Sequence, residues 1–359
     1  MKNNTILRLL SILSVSSLLI VSCSKDKDPT PELGFEAGQG LYVLNEGARE
    51  QNNSSLSFID FSNNQVTNNV YRDVNGQALG DVANDMDIYG SLLFILVDRS
   101  NKIDILDAKK GKLLKSLNIN GPRSVAFHSG KAFITSLSNK VFVLDTLSKT
   151  FVKEISVGRS PEQIVASGDR LYVANSGWAD ALTGGPHDGR LFIINPSDYS
   201  TETPIIISDN LTNVFADGLG NVYAATTDIY SADGSAILKP SRLYKINTAT
   251  KAMEELNFGA NIMAFYQNTA YLLSYNYEPG KARLLEMNLT NGVVKAMEQF
   301  DDQDLSYVYG LTTNRDNGDI WLGTTDYSNP GKVYHYNAGS KEISSFTVGL
   351  NPANFVFKK

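Results

Sequence analysis

The chain is 359 residues long and 42% apolar, with 32 basic against 38 acidic side chains and a formal net charge of −6. Its length can bury one large core or two smaller ones, and 17 Tyr, 16 Phe and 28 Gly without long runs of helix-forming residues point to β-structure rather than a helical protein. The acidic balance, with no Lys/Arg cluster interleaved with aromatics, excludes a nucleic-acid binder, which needs basic surface to displace counterions.

Residues 1–22 read as a leader. "MKNNTILR" is a positively charged start, Leu9 to Val21 is an apolar stretch too short and too Ser-rich to stay in a bilayer as a helix, and "IVSC" follows. This pattern resembles the lipobox of bacterial lipoproteins. The resemblance implies cleavage before Cys23 and a diacylglyceryl group on that thiol, the only cysteine of the chain, so that no disulfide is possible. Losing Lys2 and Arg8 with the leader leaves 30 basic residues against 38 acidic, a net charge of −8. The next stretch, "SKDKDPTPELGFEAG", is charged and poor in core residues, so residues 23–39 read as the lipidated cysteine and a flexible tether.

From residue 40 onward one pattern recurs. "LSFIDFSNNQ", "IDILDAKKGK", "VFVLDTLSKT", "LFIINPSDYS", "LYKINTATKA", "LLEMNLTNGV" and "VYHYNAGSKE" are apolar runs closed by Asp or Asn, seven in all. Each belongs to a unit of four strand-length parts, as in "SPEQIVASGD", "RLYVANS", "RLFIIN" and "FVKEIS", and Gly90, Gly130, Gly168 and Gly220 mark units of roughly 40 to 50 residues, the period of propeller blades. Second and third parts are apolar at nearly every position, as in sheets covered on both faces, whereas fourth parts such as "LLKSLN" and "AMEELN" turn polar and are expected on the outside. The repeats start at a second strand, "LYVLN", and end on a first strand, "NPANFVFKK". The predicted fold is therefore an all-β, seven-bladed β-propeller over residues 40–359, its four-stranded blades closed into a ring by pairing the C-terminal strand with the N-terminal one. "LYVAN", "VFVLDT" and "VGRSPEQIVASGD" resemble the YVTN-type, YncE-like propeller family, which specifies fold and leaves function open. Asp107, Asp145, Asn195 and Asn337 at the strand ends suit turns, where their side chains bond nearby backbone N–H groups.

Loop length singles out one face. Connections from second to third strands include residues 46–54, 176–189, 227–241, 275–282 and 325–331, while first-to-second connections are tight hairpins such as "HSGK". Long loops usually carry function. The candidate ligand-binding residues on that face are Asn45, Arg49 and Asn52 in the first loop, Trp178 and His187 in the second and Tyr230 in the third, then Tyr275, Tyr277, Tyr307 and Tyr327, with Tyr309 beside them. Aromatic rings give flat apolar area with a polar tip, suited to a large polar ligand. His128 and His335 fall inside strands and read as packing residues, and the acids Asp301, Asp302 and Asp304 read as a solvated loop.

No G-x-S-x-G, P-loop, H-E-x-x-H or C-x-x-C is present, so no catalytic residue, metal or cofactor is assigned. The lipobox, tether, YVTN-like blades and aromatic, Asn-rich face together resemble the surface lipoprotein propellers of Gram-negative gut bacteria that capture cobalamin (vitamin B12). That resemblance implies outer-membrane attachment at the cell surface, cobalamin as ligand rather than cofactor, and a TonB-dependent outer-membrane transporter as partner. A glycan-binding or protein-scaffolding propeller would use the same face and ignore cobalamin. A propeller lyase would require His187 and a neighbouring acid.

Overall fold

The strand Lys140–Asp145 (KVFVLD) pairs antiparallel on one side with Lys131–Ser136 and on the other with Thr150–Ser156, and Pro122–His128 completes a sheet of four. The pattern repeats around the chain to give a seven-bladed β-propeller of four-stranded antiparallel blades. The computed structural model describes residues 35–275 and 282–359 apart from 301, 302, 304 and 306. The leader, Cys23, Tyr277 and the acids Asp301, Asp302 and Asp304 lie outside the described residues, as does the side chain of Tyr275. We number the blades by their innermost strands: Ala83–Tyr89, Pro122–His128, Pro161–Ser167, Leu211–Ala216, Ile262–Tyr266, Val308–Thr313 and Pro352–Lys358.

Burial follows the sequence pattern across each sheet. In blade 1 the second strand, Leu92–Val97, is buried at every position but its first, while the fourth, Leu113–Asn118, is mostly exposed. The core is correspondingly divided. Among the described residues there are seven apolar clusters, each drawn from two neighbouring blades, such as Phe94 and Leu96 of blade 1 against Val125 and Ile134 of blade 2. A sheet buried on both faces reads as a continuous apolar run because each face packs on a different neighbour.

The ring closes as expected. Pro352–Lys358 pairs antiparallel with Gly40–Asn45, placing Phe357 opposite Leu41 and Phe355 opposite Val43, and Phe355 enters the cluster shared by blades 6 and 7. Space for this strand depends on two glycines of blade 6. A Cβ at Gly323 would lie 2.2 Å from the Pro352 carbonyl oxygen, and one at Gly310 would lie 2.5 Å from the Phe355 ring. The recurring acid or amide at the third-strand ends forms the same turn in all seven blades: Asp60, Asp107, Asp145, Asn195, Asn247, Asn288 and Asn337 each accept the N–H of the residue two further on, at 2.7 to 3.1 Å. His335 packs as expected, stacked on Trp321 with ring centroids 3.9 Å apart and its Nε2 2.9 Å from an Asp319 oxygen.

The compact unit runs from Phe35 to Lys359. Phe35 sets its ring against Tyr42 and Phe58, and the Ala37 N–H donates to the Lys109 carbonyl at 2.7 Å. The Phe35 ring, the buried Ala37 and this hydrogen bond hold residues 35–37 against blades 7 and 1.

Candidate functional site

Antiparallel pairing puts the start of every first strand and the end of every second strand on the face that carries the long loops. There the ladder is interrupted. In six blades the register shifts at the start of the first strand, between Ala83 and Asp85, Pro122 and Val125, Pro161 and Ile164, Leu211 and Asn213, Val308 and Gly310, and Pro352 and Asn354. A bulge sets two residues opposite one and re-aims their side chains. Asn84 with Asp85, Arg123 with Ser124, Glu162 with Gln163 and Thr212 with Asn213 consequently line, together with Asn354 and Trp178, a cavity of about 530 Å³ at the mouth of the central channel.

An ion network spans this funnel. Arg123 donates from Nε to Glu162 at 2.8 Å and from Nη1 to Asp98 at 2.9 Å, and the indole N–H of Trp178 donates to the second Glu162 oxygen. Burial pushes the Glu162 carboxyl up, opposed by the charge and hydrogen bond of Arg123, while the two carboxylates hold the guanidinium firmly protonated. Glu46, also pushed up by burial, accepts from the Tyr309 hydroxyl. Asp85 accepts the Val125 and Met86 N–H groups at 2.8 and 2.9 Å, and an Asn354 amide hydrogen at 2.8 Å. Its carboxyl is nonetheless pushed up to about 6, burial outweighing those bonds.

Asp87 lies two residues further along the same strand and lines a second cavity of about 380 Å³ with Val125, Phe127, Ile164 and Phe265. Burial, with added repulsion from Asp85, pushes its carboxyl from 3.8 up to about 7. Such a group contributes stability that is complete below 3.8 and is lost as pH rises through about 7. Asp87→Asn does not titrate, so it should melt with the wild type near pH 4 and above it at pH 8, by about 2 to 4 kcal/mol. Melting curves at the two pH values check this; an equal gap at both would refute it.

The Domain of unknown function (DUF5074) family matches residues 39–282. The chain belongs to this family. No curated protein matches the sequence. Solved structures share the ring: a hydrazine synthase of Kuenenia stuttgartiensis (TM-score 0.60, 16% identity, 76% of this chain and 88% of that one) and a quinonprotein alcohol dehydrogenase-like protein of Bacteroides thetaiotaomicron VPI-5482 (TM-score 0.62, 14% identity, 91% and 79%). BamB of Moraxella catarrhalis is similar too, at a TM-score of 0.52 and 14% identity over 89% of this chain and 86% of that one. At these identities the likeness is one of fold alone.

The candidate residues of this DUF5074 chain separate into three places. Trp178, first residue of a single helical turn Trp178–Ala181, reaches the funnel. Tyr307 and Tyr327 are about half exposed and meet edge to face at 5.6 Å, and Tyr309 meets Tyr327 edge to face at 5.8 Å, making an aromatic group on the rim of blade 6. Tyr230 stands in a hairpin, Ile229–Tyr230 with Ile237–Lys239, and its hydroxyl donates to Asp228 at 3.2 Å. Arg49 and Asn52 are exposed at the tip of their loop, Arg49 beside Glu50 at 3.6 Å. His187 is half-buried, its carbonyl accepting from Arg159 at 2.9 Å and its Nδ1 without a partner, and it is absent from the funnel lining. Asn45 departs from expectation. It is fully buried, its amide donating to Ser55 and Ser57 of the neighbouring third strand, Ser55–Asp60.

Asn84, Asp85, Arg123, Glu162, Gln163 and Asn354 were not among the expected residues. A signal for them exists in "ANDM", "PRSV", "PEQI", "LTNV" and "PANF", where two residues, at least one of them polar, precede the apolar core of a first strand. That break in the apolar pattern is what a bulge at the channel mouth requires.

Proposed function

We propose that this propeller is a ligand-capture protein, held at the outer membrane by a lipid on Cys23, that takes a corrinoid of the cobalamin type on its long-loop face and passes it to a TonB-dependent outer-membrane transporter. The observation that supports this reading is the funnel: a cavity of about 530 Å³ with amide and carboxylate groups facing inward and Trp178 at its edge. A corrinoid is a wide disc fringed with primary amides. It would rest across the mouth on Trp178 and the blade 6 tyrosines while its amide arms reach the polar lining, in keeping with sites that combine flat contact area and a few convergent polar groups.

The test is a calorimetric titration of residues 35–359 with cyanocobalamin against a matched oligosaccharide panel. The expected result is one-to-one binding of the corrinoid and no heat from the sugars. Trp178→Ala should weaken that binding by about tenfold or more and lower the melting temperature only modestly, because the residue belongs to none of the inter-blade clusters and its removal takes one hydrogen bond from Glu162. Absence of heat with cyanocobalamin, or heat only with a sugar, would sink the proposal.

A further inference from the structure

Two side-chain amides at the funnel mouth are oriented by partners that leave no alternative. Asn84 donates from Nδ2 to the Arg123 carbonyl, and Asn354 donates from Nδ2 to Asp85. A carbonyl or an ionised carboxylate only accepts, so in both residues Nδ2 must point at the partner and Oδ1 must point elsewhere. Oδ1 of Asn84 and Oδ1 of Asn354 are buried and have no hydrogen-bond partner, on side chains that line the funnel. Asp85 adjoins Asn84 in sequence and accepts from Asn354, and the three residues come from neighbouring inner strands, Ala83–Tyr89 and Pro352–Lys358. Arg123, the one cation among the described lining residues, is engaged with Asp98 and Glu162 rather than with this group. In the arc from blade 7 to blade 1 the acceptors without a donor are therefore these two amide oxygens, since Asp85 already accepts from Val125, Met86 and Asn354, and an incoming donor relieves that deficit.

We infer that this arc of the funnel receives an N–H donor of the ligand, a protonated amine or a primary amide, and rejects carboxylates and phosphates. The inference rests on the funnel being the ligand site and names the group that enters it. An ammonium is drawn by the charge of Asp85 and donates to the orphaned oxygens of Asn84 and Asn354; a primary amide uses the same two oxygens. An anion would face Asp85 and Glu162 with no free cation to meet it.

Three four-carbon probes that differ at one group decide the matter: butylammonium, butyramide and butyrate, followed by saturation-transfer NMR on the full chain at pH 8. Butylammonium and butyramide should saturate, with butyrate about tenfold weaker or undetected. Asp85→Asn should weaken butylammonium about tenfold and leave butyramide within about twofold. Asn84→Ser, which removes one orphaned acceptor and no charge, should weaken butyramide several-fold and serves as the second variant if Asp85→Asn does not fold. Butyrate binding as well as butylammonium, affinities unmoved by both variants, or no saturation by any probe would overturn the inference. A separate titration with cyanocobalamin keeps the two readings apart: probes that bind without cobalamin uphold the donor site and reject the corrinoid, and cobalamin that binds while no probe does has the opposite meaning.

Discussion

A chain ending at residue 351 will lose its cooperative melting transition. The missing strand supplies the inner edge of blade 7 and carries Phe355 into the cluster between blades 6 and 7, so its removal exposes Leu41 and Val43 and leaves the backbone of Gly40–Asn45 unpaired on one side. Net stabilities of folded proteins are only about 5 to 15 kcal/mol, and several buried aromatic and aliphatic side chains at about 1.5 to 3 kcal/mol each are a comparable sum. A single substitution should reproduce part of the effect. Gly323→Ala would place a methyl group 2.2 Å from the Pro352 carbonyl, forcing the closing strand outward. Calorimetry of both variants is the check, and a truncated chain that melts like the wild type would show that the ring is held by other means.

Arg123→Met should cost about 3 to 5 kcal/mol at pH 8 and distinctly less near pH 5. Arg123 neutralises two carboxylates, Asp98 and the buried Glu162, and it is what opposes the effect of burial on the Glu162 carboxyl. Without the guanidinium, burial acts with little opposition and that pKa rises further. A carboxyl with a raised folded-state pKa loses its contribution to stability as pH climbs through that value, so the deficit of the variant is greatest in the alkaline arm and shrinks as protonation removes the stranded charge. Adding Glu162→Gln to Arg123→Met should recover part of the loss at pH 8, since the isolated charge rather than the missing pair is the main penalty. Melting temperatures of wild type, single and double variants at pH 5 and pH 8 test this. A deficit independent of pH, or no recovery in the double variant, would contradict it.

The blades were legible because their causes are local. Asp145 and Asn247 bond N–H groups two residues away, and second strands such as Leu92–Val97 announce by their own composition that both faces are covered. The long loops were legible for the same reason, and Trp178 was reached through them. The funnel was not, because its contacts join distant residues. Arg123 is 39 positions from Glu162 and 25 from Asp98, and Asp85 meets Asn354 across 269 positions at the ring closure. Those pairings depend on bulges, and a bulge is a property of two paired strands rather than of one sequence segment. Asn45 shows the converse limit: its position beside a long loop made it a ligand-binding candidate, while its side chain is buried and bonded to Ser55 and Ser57.

The apolar clusters lie between blades, each built from only two of them, and Trp178, Tyr307 and Tyr327 belong to none. Natural variation in the rim loops is therefore largely uncoupled from the scaffold's tolerance to mutation. A loop on the rim can be lengthened or altered while all seven interfaces stay intact, and a damaged interface weakens one seam without remodelling the rim opposite. The rim and the frame are thus largely separate sets of residues, meeting chiefly at Arg123 and Glu162, where the lining of the mouth is also part of the frame.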